Sequence, residues 1–139
     1  MTSPPGTRHE DAWVVIPLFN ESAVIGEVVR GVKEHFANVV CVDDGSTDGS
    51  GELAREAGAK VVRHPVNLGQ GAALQTGIEY ALSRPGMRYL VTFDADGQHQ
   101  VSDALDMLER ARAEDLAAVF GSRFLNDTVE AGLVRRIVL

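Results

Sequence analysis

The chain is short of cysteine, of positive charge and of long apolar runs. Its one cysteine, Cys41, sits inside an apolar stretch. That excludes a disulfide framework and reads as a small buried hydrophobe in a reducing compartment. Lysine and arginine number 13 against 20 acidic residues, a formal charge of −7. A general nucleic-acid binder normally carries a basic patch, so no nucleic-acid partner is expected. No segment approaches the ~18 apolar residues that a membrane span needs. Met1 to Asp11 contain no apolar h-region, so no signal peptide is expected there, and residues 1–11 read as a loose, disordered polar tail. What remains is ordinary: 139 residues, 45% apolar and 24% charged, enough for one globular domain with a real core.

Residues 12–139 alternate between β-prone and helix-prone stretches. Trp13-Val14-Val15-Ile16-Pro17 predicts a first strand, and the loop Leu18 to Glu21 leads to Ser22 as cap of a helix running to about Phe36. Val39 to Val42 predict a second strand ending at Asp43-Asp44. A Gly/Ser/Thr/Asp turn follows, then a short helix over about Glu52 to Ala57, stopped by Gly58. Lys60 to Arg63 make a third strand, and a long loop precedes a helix from about Ala72 to Leu82. Ala73, Gly77 and Ala81 form a small-residue stripe there that would let the helix approach the sheet closely. Tyr89 to Phe93 make a fourth strand, Ser102 to Ala113 a helix capped by Ser102, and Leu116 to Phe120 a fifth strand. Such alternation argues for an α/β domain with a mainly parallel sheet flanked by helices. The last residues, Arg135-Arg136-Ile137-Val138-Leu139, turn apolar where the sequence stops, as in a domain truncated at its C-terminus.

Polar residues collect where the strands end. Asn20-Glu21, Asp43-Asp44, Asn67, Asp94-Asp96 and Arg123 all follow apolar strands, and a parallel sheet puts them on one edge. Ligands of open α/β sheets bind beyond that edge. In Phe93-Asp94-Ala95-Asp96-Gly97-Gln98-His99, residues i and i+2 share a face, so Asp94 and Asp96 can point the same way. Two hard oxygens suit Mg²⁺ or Mn²⁺, and Mg²⁺ typically bridges one or two carboxylates to substrate phosphates. An acidic total does not exclude an anionic nucleotide, because a metal ion and local arginines reverse the field.

Five motifs in order, Ile16-Pro17-Leu18-Phe19-Asn20-Glu21, Val42-Asp43-Asp44-Gly45-Ser46-Thr47-Asp48, Asn67-Leu68-Gly69-Gln70-Gly71-Ala72-Ala73, Asp94-Ala95-Asp96-Gly97-Gln98-His99 and Gly121-Ser122-Arg123-Phe124, resemble family 2 glycosyltransferases of the GT-A (Rossmann-like) fold. The dolichyl- or polyprenyl-phosphate mannosyl- and glucosyltransferase branch is the nearest match. The resemblance covers about Trp13 to Leu139. It implies an inverting, metal-dependent transfer of sugar from a UDP- or GDP-sugar, with Mg²⁺ or Mn²⁺ as cofactor. Pro17, Phe19 and Glu21 would border the nucleoside, with Phe19 in place of the more common tyrosine. Asp44, with Asp43 beside it, would contact base or ribose, and Asn67 and Ala95 would line the donor site. Asp94 would meet ribose or metal, Asp96 would bind the metal, and Gln98 would be a further ligand. Arg123 and one of Arg135 or Arg136 would neutralise phosphates, which guanidinium forks suit. Asp96 and Arg123 are thus the residues that the resemblance makes catalytic.

The expected acceptor is a polyprenyl phosphate, which places the protein in the cytoplasm or at the inner face of the membrane; a homodimer is an open option. A family 2 enzyme of polysaccharide or glycoprotein synthesis is the alternative, and a nucleotide-binding fragment without turnover is another. A nucleotidyltransferase would need a glycine-rich basic loop after the first strand, which Leu18-Phe19-Asn20-Glu21 is not. Asp44 to Gly49 resemble a calcium loop, but its twelfth position is Arg55 where a bidentate Glu is required. Gly69-Gln70-Gly71 lacks the third glycine of a dinucleotide fingerprint. His35 and His64 read as surface or loop residues, and His99 stays open between rim, phosphate contact and packing.

Overall fold

A computed structural model describes residues 8–96, 101–114, 118–119 and 133–134. Five strands run parallel: β1 (His9–Leu18), β2 (Phe36–Asp44), β3 (Lys60–His64), β4 (Tyr89–Thr92) and β5 (Ala118–Val119). Strand β6 (Leu133–Val134) pairs antiparallel with β5, and the order across the sheet is β3-β2-β1-β4-β5-β6. The helices are α1 (Ile25–Lys33), α2 (Ser50–Glu56), α3 (Gln70–Leu82) and α4 (Val101–Ala113). The chain winds outward from β1 to β3, then returns to place β4 on the other side of β1. That reversal makes a topological switch point between β1 and β4, where a crevice opens beyond the strand ends.

Strand parity divides the core. Val14, Ile16, Leu18, Val39, Cys41 and Val91 face one side, where they meet Ile25, Val29 and Val32 of α1, Ala54 of α2 and Leu108 of α4. Trp13, Val15, Val40 and Leu90 face the other, against Ala81 of α3. Each fully buried large aliphatic side chain contributes roughly 1.5–3 kcal/mol of transfer free energy. The small-residue stripe behaves as expected: Ala73, Gly77 and Ala81 are all buried. A Cβ on Gly77 would overlap Val15 Cγ1 and lie 3.1 Å from Val42 Cγ2, so only glycine allows α3 this close. Burial, and then the charge of Asp43, push the Cys41 thiol up to about 12, consistent with an inert core residue.

Several boundaries differ from the sequence reading, for physical reasons. Strand β1 starts at His9, inside the segment read as a tail. It is held there by the His9 N–H donating to the His35 carbonyl at 2.9 Å and by Arg112 pairing with both oxygens of Asp11 at 2.6 and 2.9 Å. Ser22 does not cap α1, whose N-cap is Val24 and has no side-chain cap bond. The Ser22 N–H is instead committed to Asp48 Oδ2 at 3.1 Å. Phe36 is fully buried but opens β2, opposite His9, instead of closing α1. Helix α4 begins at Val101, which puts Ser102 inside its first turn rather than at the cap. Helices α2 and α3 each start two residues earlier than predicted.

Candidate donor-binding site

At the switch point the ends of β1, β2 and β4 and the start of α3 enclose a cleft of about 330 Å³. Pro17, Phe19 and Glu21 form the β1 side, Asp44 and Asn67 the β2 side, and Asp94, Ala95 and Asp96 the β4 side. The sequence reading placed all eight there. It missed Leu18, Gln70 and Ala73, which also line the cleft. A helix starting at Gln70 aims its first turn at the sheet edge, and the signal available was Gly69, whose φ of +102° marks the turn before the helix.

Asp43 goes elsewhere. Neighbouring residues of a strand face opposite sides, and Asp43 and Asp44 at the end of β2 do so. Asp43 is 1% exposed and turns toward α2. Its Oδ1 accepts the Ser46 N–H at 2.9 Å, and a Cβ on Gly51 would stand 2.5 Å from its Oδ2. Asp43 is not among the residues lining the cleft and orders the loop after β2.

That loop builds the β1 side of the cleft. Ser46 Oγ accepts the Asn20 N–H and Asn20 Oδ1 accepts the Thr47 N–H, both at 2.9 Å. Ser50 Oγ accepts the Glu21 N–H at 2.9 Å, and Asp48 accepts the N–H groups of Ser22 and Ser50 and the Ser50 hydroxyl. Asn20 is held at φ +50°, a left-handed conformation that asparagine tolerates better than most residues. The Ser50 hydroxyl, with the Ser22 N–H, outweighs burial and lowers Asp48 to about 2. The oxygens of Ser46 and Asp48 that resemble a calcium loop are thus spent on backbone N–H groups and the Ser50 hydroxyl.

Asp44 is 3% exposed and accepts three donors. Leu68 N–H reaches Oδ1 at 2.8 Å and Gly69 N–H reaches Oδ2 at 2.9 Å, while His64 Nδ1 lies 2.9 Å from Oδ1. Burial alone would raise this carboxyl, but the Leu68 N–H, the His64 ring and the Gly69 N–H together hold it below the usual carboxylate range. His64 is a correction. It closes β3 opposite Asp44 and is only 8% exposed, with Nε2 2.9 Å from Thr76 Oγ1 on α3. The signal available was its position at the end of an apolar strand, on the edge where the other polar residues gather.

The cleft is acidic. Glu21 is raised first by burial and then by the negative charges of Asp96, Asp48 and Asp94. Carboxylates that repel one another in a half-buried cleft favour a cation. Asp94 and Asp96 provide hard oxygens of the kind Mg²⁺ and Mn²⁺ prefer, and two carboxylates are the usual protein share for Mg²⁺ at a phosphate site. Among the described residues, no group of three or more His, Cys, Asp or Glu side chains is arranged to hold a metal by itself. The predicted Gln98, His99, Arg123, Arg135 and Arg136 lie outside the described residues.

Residues 13–137 match the family described as Glycosyl transferase family 2. This chain belongs to that family. Its fold is GT-A, as the motifs implied. The family 2 domain is 36% identical over 138 residues to the polyprenol monophosphomannose synthase of Mycolicibacterium smegmatis, covering 91% of this chain and 50% of that protein. It is 32% identical over 132 residues to the UDP-N-acetylglucosamine–dolichyl-phosphate N-acetylglucosaminyltransferase of Methanococcus voltae, covering 82% of this chain and 52% of that one. The chain therefore spans about half the length of these curated relatives. Among solved structures it resembles glucosyl-3-phosphoglycerate synthase of Mycobacterium tuberculosis, crystallised with Mn²⁺, UDP and glucosyl-3-phosphoglycerate. There the TM-score is 0.58 and the identity 25%, over 74% of this chain and 39% of that one. Among the described residues, no helix of the family 2 domain is long and apolar enough to cross a membrane.

Proposed function

We propose that this chain is the donor-binding part of an inverting, divalent-metal-dependent glycosyltransferase that moves a sugar from a nucleotide donor to a polyprenyl phosphate at the inner membrane face. The observation that carries the reading is the convergence of Glu21, Asp44, Asp94 and Asp96 on one cleft at the switch point. Relatives named for polyprenol and dolichyl-phosphate acceptors, and a neighbour crystallised with UDP and Mn²⁺, support it.

The side chains divide the work. Phe19, 46% exposed at the cleft mouth, offers a ring face to the base. Asp44 is an ionised acceptor for a nucleobase or ribose donor. Asp94 and Asp96 would hold Mg²⁺ or Mn²⁺, which when bound supplies Lewis-acid stabilisation of the departing diphosphate. Arg123 and Arg135 would add positive charge to phosphates of donor or acceptor. In the transfer the anomeric carbon–oxygen bond to the diphosphate breaks, and the nucleoside diphosphate leaves with the electron pair. A new bond forms to an acceptor oxygen on the opposite face, inverting the centre. A lipid phosphate is already ionised near neutral pH, so cationic positioning suffices, whereas a hydroxyl acceptor needs a carboxylate base.

Calorimetric titration with UDP, GDP and their sugars, with and without Mn²⁺, tests the reading. Nucleotide binding should strengthen at least about tenfold with Mn²⁺, and Asp96→Ala should abolish that gain. Metal-independent binding that Asp96→Ala leaves untouched would refute the mechanism.

A further inference from the structure

Two large apolar side chains stand in water on a loop whose backbone is braced. Val66 is 59% exposed and Leu68 57%, the highest values for large apolar residues among the described ones; the others are Phe19 at the cleft mouth and Leu53 on α2. The loop, between β3 and α3, is held at several points. The Leu68 and Gly69 N–H groups go to Asp44 at 2.8 and 2.9 Å, and Asn67 Oδ1 also accepts the Gly69 N–H at 3.0 Å. Gly45 packs against it so closely that a Cβ there would stand 2.8 Å from the Val66 carbonyl carbon. Asn67, between the two apolar residues, lines the cleft. Val66 and Leu68 therefore flank the cleft mouth on a platform that folding has already ordered.

Charge decides what kind of surface can cover this rim. From Pro65 to Ile78 no residue is charged, in a chain where 24% are. The bordering cation, Arg63, is engaged by Glu52 at 3.5 Å and by the Ser46 carbonyl at 3.3 Å. The cleft beside the loop is acidic, lined by Glu21, Asp44, Asp94 and Asp96. A surface built for anionic lipid or an acidic protein would present lysine and arginine here instead. Apolar side chains on an uncharged loop suit the boundary between headgroups and acyl chains of a neutral bilayer, where binding scales with the apolar area inserted. A single exposed apolar residue carries no meaning, but this pair sits two residues apart at the mouth that an acceptor phosphate has to enter. We infer that the loop Pro65-Val66-Asn67-Leu68 is a bilayer contact, which seats the cleft mouth against the membrane so that a lipid phosphate enters without leaving the headgroup layer. This rests on the polyprenyl-phosphate reading above. It goes beyond that reading by naming the surface that meets the lipid and the nature of the contact, apolar and not electrostatic.

The test is sedimentation of the 139-residue chain with phosphatidylcholine vesicles, free of acceptor lipid and divalent cation. The natural chain should co-sediment. It should bind vesicles containing about a third phosphatidylglycerol no more tightly, and salt should not release it, because no counter-charge is involved. The double substitution Val66→Ser with Leu68→Ser should weaken binding by about tenfold or more. Leu53→Ser, at the exposed apolar site on α2, should leave it unchanged. Both loop side chains already stand in water, so the double variant should keep the urea midpoint of the natural chain. In Val66→Trp the new indole should shift its emission to the blue with vesicles and be quenched by brominated acyl chains. Trp13, only 6% exposed in the core, cannot give that response. No vesicle binding by the natural chain, salt-sensitive binding that prefers the anionic vesicles, or equal binding by the double serine variant overturns the inference. So does a dimer that the double variant dissolves, which would assign the rim to a second copy. UDP titration in Mn²⁺ reads the cleft separately. UDP binding without vesicle binding defeats this inference alone, and if UDP does not bind, the cleft reading falls and takes this inference with it.

Discussion

Replacing Gly77 by alanine tests whether the closeness of α3 to the sheet is built into the fold. In an exposed helix interior Gly→Ala stabilises by about 0.8–1 kcal/mol, because the glycine chain loses more freedom on folding. Here the new methyl would overlap Val15 Cγ1 and lie 3.1 Å from Val42 Cγ2. Both valines are fully buried on central strands, and β-branching restricts their χ1. No flexible side-chain end can yield, so α3 itself must move. Overpacking of this kind costs about 1–3 kcal/mol. The overlap with Val15 puts the cost at the upper end of that range, so after the propensity gain is subtracted the net change is a destabilisation of about 2 kcal/mol. For a chain of this size that lowers Tm by roughly 3–8 °C. The start of α3 also carries Gln70 and Ala73 into the cleft, so nucleotide affinity should fall with stability. Urea unfolding followed by circular dichroism, with the slope unchanged, measures the first effect and UDP titration the second. A Gly77→Ala protein that is more stable by the propensity increment would refute the packing argument.

Two further predictions concern charge. Glu21 is raised by burial and by the carboxylates of Asp96, Asp48 and Asp94. Its favourable contribution is therefore present below its ordinary value of 4.5 and is lost as pH rises through the higher folded value, making the ionised form a cost at pH 7. Glu21→Gln should raise the metal-free Tm at pH 7 and raise it less in Mn²⁺, where a cation already screens the cleft; equal shifts in both conditions would contradict this. Asp48 moves the other way, from 3.8 to about 2. Its contribution is complete above 3.8 and disappears as pH falls toward 2. Asp48→Asn should cost about 1 kcal/mol in urea unfolding at pH 7, and the cost should shrink toward zero near pH 2. A constant deficit across that range would show that the Ser50 and Ser22 bonds do not depend on the charge.

How much of this was legible in the sequence follows from what kind of signal each residue sends. Apolar strands ending in polar residues are a local pattern, so the sheet edge and most of the cleft could be read directly: Pro17, Phe19, Glu21, Asp44, Asn67, Asp94, Ala95 and Asp96. The Ala73–Gly77–Ala81 stripe is equally local and correctly announced a close-packed helix. What escaped depended on partners distant in the chain. Ser22 looks like a helix cap until Asp48, 26 residues away, takes its N–H. Phe36 fits the spacing of α1, yet pairing with His9 draws it into β2. His64 looks like a loop residue because Pro65 follows, and only the register of β3 against β2 places it opposite Asp44.

The Asp43-Asp44 pair explains why the cleft has its shape before any ligand arrives. Two adjacent strand residues must face opposite ways, and each carboxylate orders a different loop. Asp43 accepts the Ser46 N–H and sits against the first turn of α2. Ser46, Asp48 and Ser50 then hold residues 20–22 at the tip of β1. Asp44 collects Leu68 and Gly69 and so sets where α3 begins, just before Gln70. Gly45 joins the two halves: at φ +81° it lets the loops touch, and a Cβ there would stand 2.7 Å from Asn67 N. One dipeptide thereby fixes both walls beside the β4 carboxylates. Folding has already met the entropy cost of ordering these loops, so binding energy from a nucleotide and its cation need not be spent on it. Among the described residues the cleft so ordered is lined by Glu21, Asp44, Asp94 and Asp96, and burial and then mutual repulsion there raise Glu21, a field that the proposed cation would offset.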